Sequence, residues 1–507
     1  MALKVYNTLH RKKQDFTPVY NDRVRMYICG PTVYNYISIG NTRPIVVFNM
    51  IRNYLEHIGY KVELIQNITD IEDKIIKKAN EEGVSFNVIT EKYIKAFMED
   101  IENLKISGFA AMPKASEMIP EIISIILKII ENGYAYESAG DVYFDVLKFK
   151  EYGKLSGQKI DEMQTQEDDN LAKKSRIDFT LWKKAKEGEP YWDSPWGKGR
   201  PGWHIECSAM SLKYLGYEID IHGGGLDLVF PHHENEIAQS EAAFPQRGDF
   251  VRFWLHNGMI EVKEEKMSKS KGLKDDWILR NLLKKYSANV IKIYILSTHY
   301  RSPLEFSIEK MEEAKKAFEK IINFLINIRF LIESVQKTTA ESTLNISSKS
   351  IPVESNAIEP DKTASLIYGY LKDFKSEFKE AMDDDFNSAK AIGNMFDFIG
   401  EINTIIQNPK FKITEPLLES LKLVHEVISD YGKIFGFYFE KELCTVKKIG
   451  NGKIFLEKSE IEELVTMRNE ARRNKDFSKA DEIREKLKSF GIILYDRKEG
   501  TIWKREI

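Results

Sequence analysis

Cysteine is scarce in this chain. Three occur in 507 residues, Cys29, Cys207 and Cys444. They are too few and too scattered for a disulfide framework, so a reducing, cytoplasmic setting is expected. Long apolar runs are missing too. A membrane-spanning helix needs roughly 20 such residues in a row, and a stretch such as Glu121-Ile122-Ile123-Ser124-Ile125-Ile126-Leu127-Lys128 reads as one face of a buried helix. The first fifteen residues are polar and basic without an apolar segment, so no signal peptide is expected. Nor does one sign of charge dominate: the formal net charge is −3, which argues against indiscriminate polyanion binding and leaves local basic surfaces as the route to a nucleic acid. What is present, 42% hydrophobic and 30% charged residues, is a soluble globular composition. The length exceeds what one core can serve, so three or four domains are expected.

Val24 to Cys29 is a short apolar run ending in Gly30-Pro31, which reads as a core strand entering a loop. The spacing of Val46, Met50 and Tyr54 predicts a helix over 41–57, stopped by Gly59. Lys61 to Ile68 is the next strand. Strand, helix and strand at these lengths make a βαβ unit, which predicts a parallel sheet with its ligand site at the carboxyl ends of the strands. Cys29 and the turn Thr69-Asp70-Ile71-Glu72-Asp73 fall at such ends. The pattern is helical from about 71 to 133. It is irregular from 141 to about 201, with hairpin-like pieces and a polar loop over 164–170, as expected for an insertion between two halves of the sheet. The sheet is expected to resume with Trp203–Tyr214 and Tyr217–His222, followed by a helix over His232–Ala243 and an apolar run from Phe250 to Leu255.

Helices are expected over 277–286, 288–297, 308–332, 366–382, 388–406 and 416–434, with a polar loop over Ser334–Ser365. Near the end, Ser459-Glu460-Ile461-Glu462 is a capping box opening a helix to about Arg473. Ser478 to Asp481 repeats the signal, and 492–495 with 501–504 form a terminal hairpin. Arg468, Arg472, Arg473, Lys475, Lys479 and Arg484 make this last module locally basic. The expected fold is therefore α/β: a Rossmann-like parallel-sheet catalytic domain (1–112 and 202–258) interrupted by an inserted connective region (113–201). A loop and stem-contact region (259–310), an all-α helical bundle (311–448) and a small α+β module (449–507) follow.

The stretch Val229-Phe230-Pro231-His232-His233-Glu234-Asn235-Glu236 concentrates two imidazoles and two carboxylates after the glycine loop Gly223-Gly224-Gly225. Pro231 suits the first turn of a helix, and on that helix His232 and Glu236, four apart, share a face. That is half of a tetrahedral zinc site. The other half would come from two of the three cysteines, and His233 is an alternative to its neighbour. Lys266-Met267-Ser268-Lys269-Ser270 is a lysine- and serine-rich loop able to fold over a polyphosphate. Ser38-Ile39-Gly40-Asn41 stands where the βαβ helix begins, so backbone N–H groups and the positive end of the helix dipole face outward, and Gly40 allows close approach.

Together these strings resemble the class I aminoacyl-tRNA synthetases. Specific ones narrow the resemblance to the cysteinyl-tRNA synthetase family: Tyr27-Ile28-Cys29-Gly30-Pro31-Thr32-Val33-Tyr34, Asn67-Ile68-Thr69-Asp70, Gly202-Trp203-His204-Ile205-Glu206-Cys207-Ser208-Ala209-Met210, Asp220-Ile221-His222-Gly223-Gly224-Gly225, and Pro231 to Glu236. The resemblance runs from about Tyr6 to Trp503 and is interrupted mainly by Ser334–Ser365. It implies one zinc ion on Cys29, Cys207, His232 and Glu236, and it leaves Cys444 a plain residue. ATP, with Mg2+, would meet Ser38, Ile39, Gly40 and Asn41 and the loop Lys266, Met267, Ser268, Lys269 and Ser270, with Ser38, Asn41, Lys266 and Lys269 aiding catalysis. The cysteine pocket would be lined by Cys29, Gly30, Thr69, Trp203 and His222. The partner would be cysteine tRNA, its anticodon read by the terminal module, and the chain would be a cytoplasmic monomer with no membrane attachment. One position departs from the pattern: the family usually has His where this chain has Ser38, and a hydroxyl cannot carry positive charge. The same motifs leave open a ligase joining activated cysteine to a small amine, against which the helical C-terminal half counts. They also leave open a non-catalytic binder, motivated by Ser38 alone.

Overall fold

The computed structural model describes all residues except 1, 161–171, 262–272, 345–361, 409–413, 440–457, 475, 490–491, 498–499 and 506–507. The loop Lys266–Ser270, Cys444 and the polar loop over 164–170 thus lie outside the described residues.

A ribbon of β1 (Lys4–Asn7) and β2 (Lys12–Asp15) precedes β3 (Arg23–Ile28), which is buried along its length after Arg23. A strand covered on both faces is mostly apolar. Val24, Met26, Tyr27 and Ile28 fit that, and the buried Arg25 spends its guanidinium on the carbonyls of Leu215 and Tyr217. Helix α1 (Ile39–His57) starts at a capping box. The Ser38 hydroxyl accepts the Asn41 N–H, and the Asn41 side chain accepts the Ser38 N–H. Strand β4 (Lys61–Gln66) then pairs parallel to β3, completing the βαβ unit. Helices α2 (Asp73–Glu82), α3 (Phe86–Asn103) and α4 (Ile119–Glu131) follow, α4 burying Ile119, Ile122, Ile125, Ile126 and Ile129 on one side. The insertion is an antiparallel sheet of β5 (Ala135–Ser138), β6 (Asp141–Phe144), β7 (Phe179–Lys184) and β8 (Gly199–Pro201).

The chain re-enters the parallel sheet through α5 (Trp203–Leu215), β9 (Ile219–Gly225), α6 (Glu234–Ala243) and β10 (Val251–Asn257). Here the structure corrects the sequence reading: Trp203–Tyr214 is helix, not strand. Its apolar residues surround the helix, with His204 through Ser211 all buried, and a continuously buried segment has no periodicity to separate helix from strand. The second difference is at the start of α6. Val229–His233 is a separate turn with extended backbone at Phe230, and the regular helix begins at Glu234.

The parallel sheet has the order β10-β9-β3-β4. From β3 the chain moves first to β4 on one side and later to β9 on the other. The β3/β9 junction is therefore the topological switch point, and its carboxyl edge is where open α/β sheets bind ligands. Beyond it come β11 (Ile260–Glu261), α7 (Leu273–Asp276), α8 (Leu279–Lys285), α9 (Ala288–Leu296) and β12 (Leu304–Glu305), which pairs parallel with β11.

The remainder is helical: α10 (Ile308–Leu344), α11 (Lys362–Asp383), α12 (Ser388–Ile406) and α13 (Glu415–Ile434). Helix α10 runs on to Leu344, well into the stretch expected as loop. Helices over Lys458–Arg473 and Phe477–Ser489 and a hairpin of β13 (Ile492–Arg497) and β14 (Gly500–Arg505) close the chain. The second of these helices is capped by Asp476, which accepts the Lys479 N–H, rather than by Ser478. Arg468 is buried and makes a two-pronged ion pair with Asp496, which Arg472 joins. Two of the basic residues noted in this module are thereby committed to holding it together. No helix among the described residues is long and apolar enough to cross a membrane.

The chain divides into two compact units. The first is Met1–Ala314 with Glu377–Gly393 and Ile434–Gly436; the second is Lys315–Ser376, Asn394–Lys433 and Phe437–Ile507.

Candidate metal centre and active site

At the end of β3 the chain passes so close to the end of β4 that a side chain on Gly30 would sit 1.9 Å from the Asn67 carbonyl oxygen. Only glycine fits. Asn67 fixes this crossing by accepting the Gly30 N–H at 2.7 Å and donating its own amide to Thr69 Oγ1 at 2.9 Å. The Cys29 N–H donates to the Gly223 carbonyl at 3.2 Å, and a Cβ on Gly223 would overlap the Phe48 ring at 2.1 Å. Cys29 and His222 are thereby brought to the switch point from the two sides.

Cys207 arrives one turn into α5, His232 from the turn that precedes α6, and Glu236 from the first turn of α6. The Cys29 and Cys207 sulfurs are 3.7 Å apart. Glu236 Oε1 lies 3.4 Å from Cys29 Sγ and 3.2 Å from His232 Nε2, the i, i+4 pair expected from spacing. Donor atoms of Cys29, Cys207, His232 and Glu236 all fall within 4.8 Å of one another and are buried. A tetrahedral zinc ion with bonds of about 2.3 Å to sulfur sets two sulfurs about 3.8 Å apart, close to the spacing here.

The hydrogen bonding supports the same conclusion. His232 Nε2 and Glu236 Oε2 are buried without a hydrogen-bond partner, although polar atoms surround them. Buried polar groups are seldom left without a partner, and service as the ligand atoms of a metal site is one reason for it. His232 Nδ1 is 2.9 Å from His204 Nδ1. One ring nitrogen is thus held while the other faces the cluster, the arrangement of a ligating imidazole. Burial pushes the Glu236 carboxyl and the Cys29 thiol up and the His232 imidazole down. An unaccompanied cluster is held neutral, and a cation at its centre would reverse each preference. The residues present fit zinc.

A second set, Cys29, His222, His233 and Glu236, satisfies the same distance criterion. His233 is the poorer donor because both its nitrogens are engaged: Nδ1 lies 2.7 Å from His256 Nε2, and Nε2 lies 3.3 Å from Cys29 Sγ. His222 Nε2 approaches Glu236 Oε2 at 3.0 Å without hydrogen-bond geometry. Its ring is flanked by Tyr27, at 5.0 Å between centroids, and Trp254, at 4.5 Å. The Trp203 ring is 4.4 Å from that of His232 and is partly exposed. It also lines a cavity of about 1130 Å³ with Gly202, His204, Phe230, Pro231 and residues of the insertion. The expected pocket residues Cys29, Gly30, Thr69, Trp203 and His222 therefore gather at one edge of the sheet. His204, Asn67 and His256 were not singled out from sequence, although His204-x-x-Cys207 carries helical spacing that could have drawn attention to it.

Ser38 and Asn41 bind each other at the start of α1. Their amides, with that of Ile39, which donates to the Trp277 carbonyl at 2.8 Å, are engaged within the protein.

Residues 15–316, more than half of the chain, match the family described as tRNA synthetases class I (C) catalytic domain. The cysteine–tRNA ligase of Thermococcus onnurineus (strain NA1) is 44% identical over 510 residues, covering 100% of this chain and 99% of the relative. That of Geobacter sulfurreducens is 45% identical over 509 residues, covering 99% and 100%. The chain belongs to the cysteine–tRNA ligase family. In keeping with that family, residues 377–440 match the DALR domain, and residues 458–503 match the cysteinyl-tRNA ligase anticodon binding domain. Among solved structures, Mycobacterium tuberculosis methionyl-tRNA synthetase in complex with methionyl-adenylate superposes with a TM-score of 0.59 at 12% identity, over 82% of this chain and 90% of that one. At that identity the likeness speaks for the fold. The cysteine–tRNA ligase fold is thus a parallel α/β catalytic domain with an antiparallel insertion, followed by a helical region, as the sequence predicts.

Proposed function

We propose that the chain activates cysteine with ATP and transfers it to the 3′ end of cysteine tRNA, using one zinc ion to select the substrate thiol. The observation that carries this reading is the convergence of two cysteine sulfurs, an imidazole and a carboxylate at the switch point, beside the partly exposed Trp203. Zinc held by Cys29, Cys207, His232 and Glu236 would supply a Lewis-acidic centre that takes cysteine's sulfur as thiolate and binds serine's neutral hydroxyl far less well. Shape alone separates such near-isosteres poorly.

The protein's own groups set the geometry. His204 orients His232, Asn67 fixes both Gly30 and Thr69, and Trp203 with His222 borders the substrate side chain. In the first step the cysteine carboxylate attacks the α-phosphorus of ATP and pyrophosphate leaves. In the second, the terminal ribose hydroxyl of tRNA attacks the activated carbonyl and AMP leaves. Displacement at phosphorus depends on positioning and charge stabilisation. The start of α1, with Ser38, Ile39, Gly40 and Asn41, would receive the nucleotide. Lys266 and Lys269, with Met267, Ser268 and Ser270, would close over the phosphates with Mg2+. Ser38 contributes a neutral hydroxyl, so the positive charge has to come from these lysines and the metal. The helical bundle would brace the tRNA, and the terminal module would read its anticodon. Two free thiols 3.7 Å apart suit a reducing cytoplasm, since their oxidation would remove both sulfur ligands.

The test is charging of deacylated tRNA with labelled cysteine and ATP, zinc supplied, alongside serine. Cysteine-specific charging by protein holding one zinc per chain is expected. Folded, zinc-loaded protein that charges nothing, or charges serine as well as cysteine, would overturn the reading.

A further inference from the structure

Arg43 is fully buried in the first turns of α1, and its guanidinium meets backbone carbonyls rather than a carboxylate. One nitrogen, Nη1, donates to the carbonyls of Gly258 at 2.7 Å and Met259 at 2.9 Å. The other, Nη2, donates to those of Ser302 at 2.6 Å, Tyr300 at 3.2 Å and His299 at 3.4 Å. Burying a cation among neutral acceptors is costly, and the bonding pattern shows what is gained. Gly258–Met259 runs directly into β11, whose last residue, Glu261, leads in sequence to Lys266–Ser270. His299–Ser302 runs into β12, the partner of β11. A Cβ on Gly258 would lie 2.4 Å from the Ser302 carbonyl oxygen, so these two strands can approach only with glycine there. The other side of the 299–302 segment is held by Asp385, which accepts from the Tyr300 hydroxyl at 2.8 Å and Arg301 Nε at 2.7 Å.

The return stem is fastened to the same helix. Ile39 N–H donates to Trp277 and Leu279 N–H to Ile37, at 2.8 and 2.9 Å. Both stems flanking the Lys266–Ser270 stretch are therefore tied to the beginning of α1, one by Arg43 and one by the backbone of the Ser38–Asn41 segment itself.

We infer that Arg43 is a positioning residue for the ATP step, setting the register between the start of α1 and the stem that delivers Lys266 and Lys269. The inference rests on the proposed role of that stretch in binding ATP. A guanidinium presents its five donors in a rigid plane, and an ammonium cannot span the same set of carbonyls. Tyr294 is a second, milder support of the stem, its hydroxyl donating to the Glu305 carbonyl at 2.8 Å.

The experiment is cysteine-dependent ATP–pyrophosphate exchange by the full chain carrying Arg43→Lys or Tyr294→Phe, with zinc content measured on the same samples. Misplacement of reacting groups by about 1 Å costs on the order of 100-fold in rate, so Arg43→Lys is expected to lose about that factor in kcat/KM for ATP. Zinc content and the KM for cysteine should stay at wild-type values. Tyr294→Phe should lose roughly ten-fold in the same parameter, as for one hydrogen bond. Equal losses for ATP and cysteine accompanied by loss of zinc, or no change in either variant, would overturn the inference. If Arg43→Lys does not fold, Tyr294→Phe decides, and wild-type ATP kinetics in that variant count against it. Lys269→Ala separates this from the underlying reading. Exchange indifferent to Lys269 removes the reading and the inference together, whereas exchange that needs Lys269 but ignores both stem variants removes the inference alone.

Discussion

At the scale of single residues, the candidate metal centre offers two possible sets of ligands sharing Cys29 and Glu236, and their hydrogen bonding ranks them. His232 has one nitrogen held by His204 and the other directed at the cluster, whereas both nitrogens of His233 are already in contact with His256 and Cys29. Substituting an outer partner of a ligand costs about 10–100-fold in metal affinity, so His233→Asn should weaken zinc binding within that range. Cys207→Ser replaces a ligand with a hydroxyl and should lose more than the upper figure, giving protein that purifies without zinc. Competition with a chromophoric chelator measures both; equal losses, or a larger one for His233→Asn, would reverse the ranking. The sequence made the His232–Glu236 pair legible because helical spacing is a local property. It could not supply Cys29 and Cys207 by spacing, because they lie 178 residues apart and meet only through sheet order. Their assignment came from family resemblance, and the sulfur–sulfur distance now agrees with it.

At the scale of elements, amphipathic pieces were legible, and of the two helices buried almost all round one was misread. Helix α4 shows its isoleucines on one side and was expected as a helix. Helices α5 and α6 are buried almost all round, so apolar periodicity does not separate helix from strand in either. Helix α6 was still read as a helix, from Pro231 and the His232–Glu236 spacing, whereas α5 was misread. Helix α6 also does a task that no motif advertised. The Glu234 carboxylate, itself fully buried, accepts the backbone N–H of Gly153 at 2.9 Å and of Ser156 at 2.8 Å, and the Tyr152 hydroxyl donates to Asn235 at 2.5 Å. The insertion is thereby fastened to the helix that carries Glu236. Glu234→Gln keeps the shape but turns one acceptor into a donor facing backbone N–H groups. A buried unsatisfied group costs about 1–3 kcal/mol, more when charge is involved. The expected outcome is a destabilisation of about 2 kcal/mol in denaturant unfolding, with faster hydrogen exchange at Gly153 and Ser156 than elsewhere. Unchanged exchange at those amides would show that the loop is held by other contacts, among them Lys154 with Glu241 at 2.7 Å.

At the scale of the whole molecule, the chemistry and the terminal module belong to different compact units. Every residue of the cluster lies within Met1–Ala314, while Ser459–Ile507 lies within the second unit. That module has a small core of its own, in which Ile461, Val465, Ile483, Leu487, Ile492 and Leu494 pack together. With Arg468 spent on Asp496, any contact with unpaired RNA bases would have to use its other basic and aromatic side chains, as single-stranded RNA is commonly met. On the proposed reading, adenylate formation uses the switch point and the stems fastened to α1, and recognition of a tRNA uses surfaces beyond them. Deleting Ser459–Ile507 should therefore spare cysteine-dependent ATP–pyrophosphate exchange, since none of the groups proposed for that step is removed. It should lower kcat/KM for tRNA charging by on the order of 100-fold, the loss of a few kcal/mol of binding. Running both assays on one preparation distinguishes the possibilities. Parallel loss of the two activities would mean that the first unit depends on the second for its own structure, and no loss of charging would mean that the module does not contribute to selecting the tRNA.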